Sequence, residues 1–131
     1  MSHYPTPPPA GTPMLAPGTF AGRTVLITGG GTGIGKAIGV EFARLGACVA
    51  IASRSEEHRA AGVAAMEAVG GTGLGVSCDV RDPDSIAAAF DQVEEAAGPI
   101  DVLINNAAGN FPALAEEMSC LLYTSDAADD T

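Results

Sequence analysis

A chain of 131 residues, 47% of them apolar, is long enough for one modest packed domain or part of one, and too apolar to stay disordered. Sixteen acids against six bases leave a net charge of −10, which argues against a nucleic-acid or anionic-membrane partner and for a small molecule. No apolar stretch approaches the ~20 residues that span a bilayer, and the N-terminus lacks the charged-then-apolar order of a secretory signal. Cys48, Cys78 and Cys120 have no metal-ligand spacing, so the expectation is buried free thiols in a reducing cytoplasm and no metal site.

Six of the nine prolines lie in the first seventeen residues, so residues 1–19 read as a mobile, polyproline-like arm. The patterned region follows. "GRTVLITGG" is a continuous apolar run closed by glycines, as expected of a parallel strand buried on both faces, about Thr24 to Thr28. From Gly33 the period turns helical, with Ile34, Ile38, Phe42 and Leu45 on one face and Gly46 where a helix end favours φ > 0. "ACVAIAS" is a second strand. Ser55, followed by Glu56 and Glu57, caps a second helix whose apolar side carries Val63, Met66 and Val69 or Gly70. "GLGVSCDV" is a third strand. Asp82 and Pro83 open a third helix with Ile86, Phe90 and Val93 on one face, and Gly98-Pro99 stops it before the fourth strand, "IDVLINN".

Strands alternating with helices of this length imply right-handed crossovers, hence an α/β fold: a Rossmann-like doubly wound parallel sheet of order 3-2-1-4 that stops after strand four. In such sheets ligands bind where the chain reverses direction across the sheet, here between the loops after Thr28 and Asn105. "TGGGTGIG" places glycines at 29, 30, 31, 33 and 35 between a strand and a helix N-terminus, where free amides and the helix dipole favour a phosphate. The competing reading is a glycine-rich turn that only joins strand to helix. Strand two ends in Ser53 and Arg54 with no acid; an acid would accept the ribose hydroxyls of NAD, whereas an arginine can pair with the 2′-phosphate of NADP. NADP(H) is favoured over NAD. Arg54 as a solvated loop charge stays open, because Thr32 offers no second cation.

Thr28-Gly29-x-x-x-Gly33-Ile34-Gly35 resembles the cofactor motif of the short-chain dehydrogenase/reductase family, and "CDV" and "NNAAG" extend the likeness. The family usually has Asn-Asn-Ala-Gly; "INNAAGNF" with "ASRS" and "CDVRDPD" resembles its 2,4-dienoyl-CoA reductase branch over Thr28 to Phe111. The resemblance implies a cofactor surface of Thr28, Gly29, Gly31, Thr32, Gly33, Ile34, Gly35, Ser53, Arg54, Asp79, Val80, Asn106, Ala107 and Ala108, with Asp79 at the adenine and Asn106 and Ala107 beside the nicotinamide-side ribose. It also implies that Arg81 and Phe111 help hold an acyl-CoA in an NADPH-dependent reduction of a conjugated dienoyl thioester. Ordinary alternatives are a surface pair of Arg81 with Asp82 or Asp84, and a Phe111 that only caps the sheet.

The family's serine, tyrosine and lysine of catalysis follow strands five and six, and nothing here fills those roles. The only lysine is Lys36, Tyr123 has Ala127 where the lysine would stand, and His3 and His58 are neither ligand nor base. No catalytic residue is therefore assigned. Residues 20–119 read as the N-terminal half of an NADP(H)-binding domain from a homo-oligomeric parent, expected by itself to aggregate or unfold in part and to show no turnover. Within the family the alternative parent is a ketoreductase of 3-oxoacyl thioesters; outside catalysis it is a complete dinucleotide-binding module, and a methyltransferase is disfavoured by Ser53-Arg54. "EEMS" still fits the branch. "CLLYTSDAADD" instead matches the in-frame translation of a transposon-end sequencing adapter (TGT CTC TTA TAC ACA TCT), so residues 120–131 are expected to be read-through, with a divergent natural tail as the alternative.

Overall fold

The structure, a computed structural model, describes residues 4–108; Phe111 and everything expected of residues 109–131 lie outside the described residues. Residues 4–19 form no helix or strand and are exposed. At Phe20 the chain is tied down: its backbone N–H donates to the Leu45 carbonyl at 2.9 Å, and its ring meets Phe42 edge-on at 4.9 Å.

Four strands alternate with three helices: β1 (Thr24–Thr28), α1 (Gly33–Arg44), β2 (Cys48–Ala52), α2 (Glu56–Ala68), β3 (Thr72–Val76), α3 (Pro83–Ala97) and β4 (Val102–Ile104). All pairings are parallel and the spatial order is β3-β2-β1-β4, as the sequence pattern predicts. β1 is buried along its whole length because helices cover both faces. The pleat then sorts side chains by parity. Val25, Ile27, Val49 and Ile51 face Met66 and Ala43 of α2 and α1, while Leu26, Ala50, Ala52 and Val76 face Ala89 and Val93 of α3. Each large side chain buried here contributes about 1.5–3 kcal/mol.

Three sequence expectations change. Ile34 does not join the buried stripe of α1; it is 75% exposed, because the first turn of α1 stands above the C-terminal edge of the sheet, where no strand remains to pack against. β3 ends at Val76, four residues short of the end of "GLGVSCDV", because Asp79 is drawn into the turn before α3: its N–H donates to Ser85 Oγ at 2.9 Å and its carbonyl accepts from Asp82 N–H at 3.0 Å. β4 is only three residues long. Asp101 is diverted to Arg23 (3.0 Å) and to the Thr24 N–H (2.9 Å), and Asn106 bends back onto β1. Cys48 is half-buried and Cys78 buried, both free thiols whose pKa values are raised by desolvation. Among the described residues no helix is long and apolar enough to cross a membrane.

Candidate dinucleotide site at the C-terminal edge of the sheet

The C-terminal ends of parallel strands lie on one edge, so the segments after β1, β2, β3 and β4 meet there by construction. Thr28, the last residue of β1, joins two of these segments, those after β1 and β4. Its buried hydroxyl accepts from the N–H groups of Asn106 and Ala107, each at 3.0 Å, and donates to the Ile104 carbonyl at 3.4 Å. The Asn106 side-chain amide returns two bonds, to the carbonyls of Thr28 (3.1 Å) and Gly29 (3.2 Å). One side-chain pair thus fixes the glycine loop against the segment after β4.

Close approach explains two glycines. A Cβ on Gly35 would sit 2.5 Å from Asn106 Nδ2 and 2.6 Å from the Gly29 carbonyl, and one on Gly31 would overlap the His58 carbonyl of α2. Gly33, at φ 53°, has nothing within 4 Å of its Cβ position, so this part of the loop is open above.

The helix beginning there differs from the others. α2 is capped by Ser55, whose hydroxyl accepts from the His58 N–H, and α3 by Asp82, whose carboxylate accepts from the Asp84 N–H; both have acids in the first turn. Thr32, at the N-cap of α1, makes no side-chain cap bond, and the first turn of α1 contains no acid. The positive end of α1 is therefore neither capped nor neutralised by the described residues, and can take an anionic group. Thr32, Gly33 and Ile34 are exposed around it.

Beside this end, Ser53 and Arg54 follow β2. Ser53 is half-buried, with its hydroxyl accepting from Ser55 N–H at 3.2 Å; Arg54 is exposed. Across the edge, Asp79 and Val80 are half-buried. Arg81 pairs with Asp79, not with Asp82 or Asp84: Nε and Nη2 reach the two carboxylate oxygens at 3.0 and 2.9 Å, and the Arg81 N–H adds a third bond at 3.0 Å. These bonds, with a smaller contribution from the charge of Arg54, hold the Asp79 carboxyl far below the usual carboxylate range. Asn106 and Ala107 are half-buried and Ala108 exposed. All the expected site residues within the described region thus lie on one edge.

One residue escaped the sequence reading. Arg59, at the end of the first turn of α2, donates from Nη1 to the carbonyls of Ser53 (2.6 Å) and Arg54 (3.0 Å). A cation so near a helix N-terminus opposes the dipole, and that was the available signal. No cluster of three or more His, Cys, Asp or Glu able to hold a metal occurs among the described residues.

The sequence pattern of the short chain dehydrogenase family matches residues 23–122, which span every element around this edge. The chain belongs to the short-chain dehydrogenase/reductase family. Enzymes of this family use nicotinamide dinucleotides, which suits an edge with an unneutralised helix end. The chain is 45% identical over 118 residues to an uncharacterised oxidoreductase of Caenorhabditis elegans, covering 83% of this chain and 36% of that protein. It is 42% identical over 114 residues to a probable 2,4-dienoyl-CoA reductase of the same organism, covering 86% and 37%. A solved short-chain dehydrogenase/reductase from Mycobacterium marinum superposes with a TM-score of 0.70 at 34% identity, over 76% of this chain and 40% of that one. This short-chain dehydrogenase/reductase chain spans a little over a third of the length of the curated relatives it matches.

Proposed function

We propose that this chain is the NADP(H)-binding N-terminal part of a reductase acting on 2,4-dienoyl-CoA thioesters. The observation that carries the cofactor reading is the uncapped, acid-free N-terminus of α1 beside a β2 that ends in Ser53 and Arg54. The free amides of α1 would take the pyrophosphate, with Gly33 leaving it room, Gly29, Gly31 and Gly35 letting the loop pack against its neighbours, and Thr32 and Ile34 flanking it. Ser53 and Arg54 would take the 2′-phosphate, for which an arginine supplies paired donors and an acid would supply only repulsion. Asp79 and Val80 would border the adenine, and Asn106, Ala107 and Ala108 the ribose next to the nicotinamide. Thr28 acts beneath them, fixing the spacing of the two loops through the Asn106 and Ala107 amides.

When bound, the cofactor supplies the hydride; the described residues bind and orient it. Arg81 and Phe111 are assigned to the acyl-CoA. Arg81 is exposed, so its guanidinium can exchange Asp79 for a phosphate at little cost. Similarity to the dienoyl-CoA reductase of C. elegans supports this substrate class. The free thiols Cys48 and Cys78 suit a reducing compartment such as the cytoplasm.

Fluorescence titration of a protein of the relatives' full length with NADPH and NADH tests the cofactor reading: NADPH should bind at least about tenfold more tightly. Equal affinities would overturn it. In a protein of the relatives' full length, oxidation of NADPH should depend on a 2,4-dienoyl-CoA; turnover with 3-oxoacyl thioesters in its place would overturn the substrate class.

A further inference from the structure

The chain has sixteen acids and six bases, so a base left without a carboxylate is the exception that asks for a cause. Arg23 is paired with Asp101, Arg44 with Glu41 and Arg81 with Asp79. Among the described residues Lys36, Arg54 and Arg59 have no carboxylate within ion-pair distance. Two of these three sit together at the end of β2.

Arg59 is built into place. Its stem lies on Gly75 of β3, where a Cβ would be 3.1 Å from Arg59 Cβ and 3.7 Å from its Cδ. Its guanidinium turns back to the two carbonyls that follow β2, both bound by Nη1. Nε and Nη2 carry no hydrogen bond within the described residues. The same turn of α2 abuts the phosphate loop, since the carbonyl of His58 is what excludes a side chain from Gly31. The turn between Arg54 and Arg59 is further fixed by Ser55, through its own N–H to Ser53 Oγ and its hydroxyl from His58 N–H.

A guanidinium near a helix N-terminus is unfavourable unless an anion offsets it. Glu56 and Glu57 in the same first turn are exposed and form no ion pair with it. Asp79, whose carboxyl feels the charge of Arg54, is taken by Arg81. The held, half-buried charge of Arg59 is thus available to a ligand anion lying along Ser53 and Arg54.

We propose that Arg59 is a second cation of the 2′-phosphate subsite, a specificity-determining residue that favours NADP(H) over NAD(H) together with Arg54. The proposal rests on the NADP(H) reading above. It supplies the second positive charge that Thr32 does not, and supplies it from α2, not from the glycine loop. Two arginines facing a dianion give charge-assisted bonds from donors that a ribose hydroxyl cannot engage as strongly.

Arg59→Met keeps the stem over Gly75 and removes the charge; Arg59→Lys keeps the charge and removes the fork. In a protein of the relatives' full length, affinities for NADPH, NADH, 2′,5′-ADP and 5′-ADP are measured by titration, with circular dichroism melting of each variant. Arg59→Met should weaken NADPH and 2′,5′-ADP about tenfold and leave NADH and 5′-ADP within about twofold. Arg59→Lys should keep at least half of the logarithmic preference. Equal weakening of all four ligands would mean a turn clamp without a phosphate role and would overturn the proposal, as would unchanged preference in Arg59→Met or a lysine variant no better than methionine. A wild-type chain without NADPH preference would overturn the NADP(H) reading itself, whereas wild-type preference kept in Arg59→Met would remove Arg59 alone.

Discussion

Three helices begin on the same edge of one sheet, and one begins differently. α2 and α3 satisfy their own first amides through Ser55 and Asp82 and place acids against the dipole; α1 does neither. Each of the three follows a parallel strand, so the fold does not dictate the difference. A self-capped start needs nothing from outside, while an uncapped one keeps its donors and its positive end for an anion. The contrast separates two helix ends that satisfy themselves from one that leaves its donors open.

The contrast can be broken most strongly at Gly35. In a protein of the relatives' full length, Gly35→Val would drive atoms into Asn106 Nδ2 and the Gly29 carbonyl, costing about 3 kcal/mol in urea denaturation and abolishing nucleotide binding. Stability within about 0.5 kcal/mol of the parent would show that the two loops are not locked together. Thr28→Val comes next: it strands the amides of Asn106 and Ala107, for an expected loss of about 2 kcal/mol, read from the same denaturation curve.

Cap substitutions sharpen the comparison directly. Ser55→Ala and Asp82→Ala should each cost about 1 kcal/mol, whereas Thr32→Ala should cost less than about 0.5 kcal/mol, because Thr32 caps nothing with its side chain. Thr32→Asp should reverse the roles, raising stability by about 0.5–1 kcal/mol and weakening dinucleotide binding about tenfold or more. A Thr32→Asp variant that still bound NADPH normally would show that the end of α1 is not the phosphate site.

The smallest effect concerns pH. Asp79 and Asp101 have folded pKa values below their ordinary ones, Asp79 through Arg81 and Asp101 through the Thr24 N–H and Arg23. Depressed folded values mean that their stabilisation is complete above the unfolded carboxylate range, about pH 4, and is lost as pH falls from there through the folded values. Arg81→Leu should bring the Asp79 titration, followed by NMR, up toward the ordinary range; an unmoved midpoint would mean that Arg81 is not its partner in solution.

How much of this was legible in the sequence depends on how local each signal is. The strand order was legible because apolar runs and amphipathic periods alternate at βαβ spacing, and crossover handedness leaves few arrangements. Both N-caps were legible because Ser55 and Asp82 act within three residues of themselves. Ile34 was misplaced because helical periodicity says which face a residue takes, not where the sheet beneath ends. The end of β3 was misjudged because Ser85, six residues further on, claims the Asp79 N–H. The ion-pair partner of Arg81 was not legible, since charge spacing on a helix start offers Asp82 or Asp84 as alternatives and takes no account of a turn that folds Asp79 beneath it.

By itself the sequence determined the fold class, the glycine-rich loop at a helix start, the basic end of β2 and the family, since these are carried by short-range patterns of side-chain type. Only the tertiary structure decided that Thr28 and Asn106, 78 positions apart, hold the two loops in one geometry. It alone set Arg81 on Asp79 and turned Arg59 back onto the carbonyls of Ser53 and Arg54. The physical reason is that hydrogen-bond partners and charge pairs are fixed by where strand ends and helix turns meet in space, and chain distance carries little information about that.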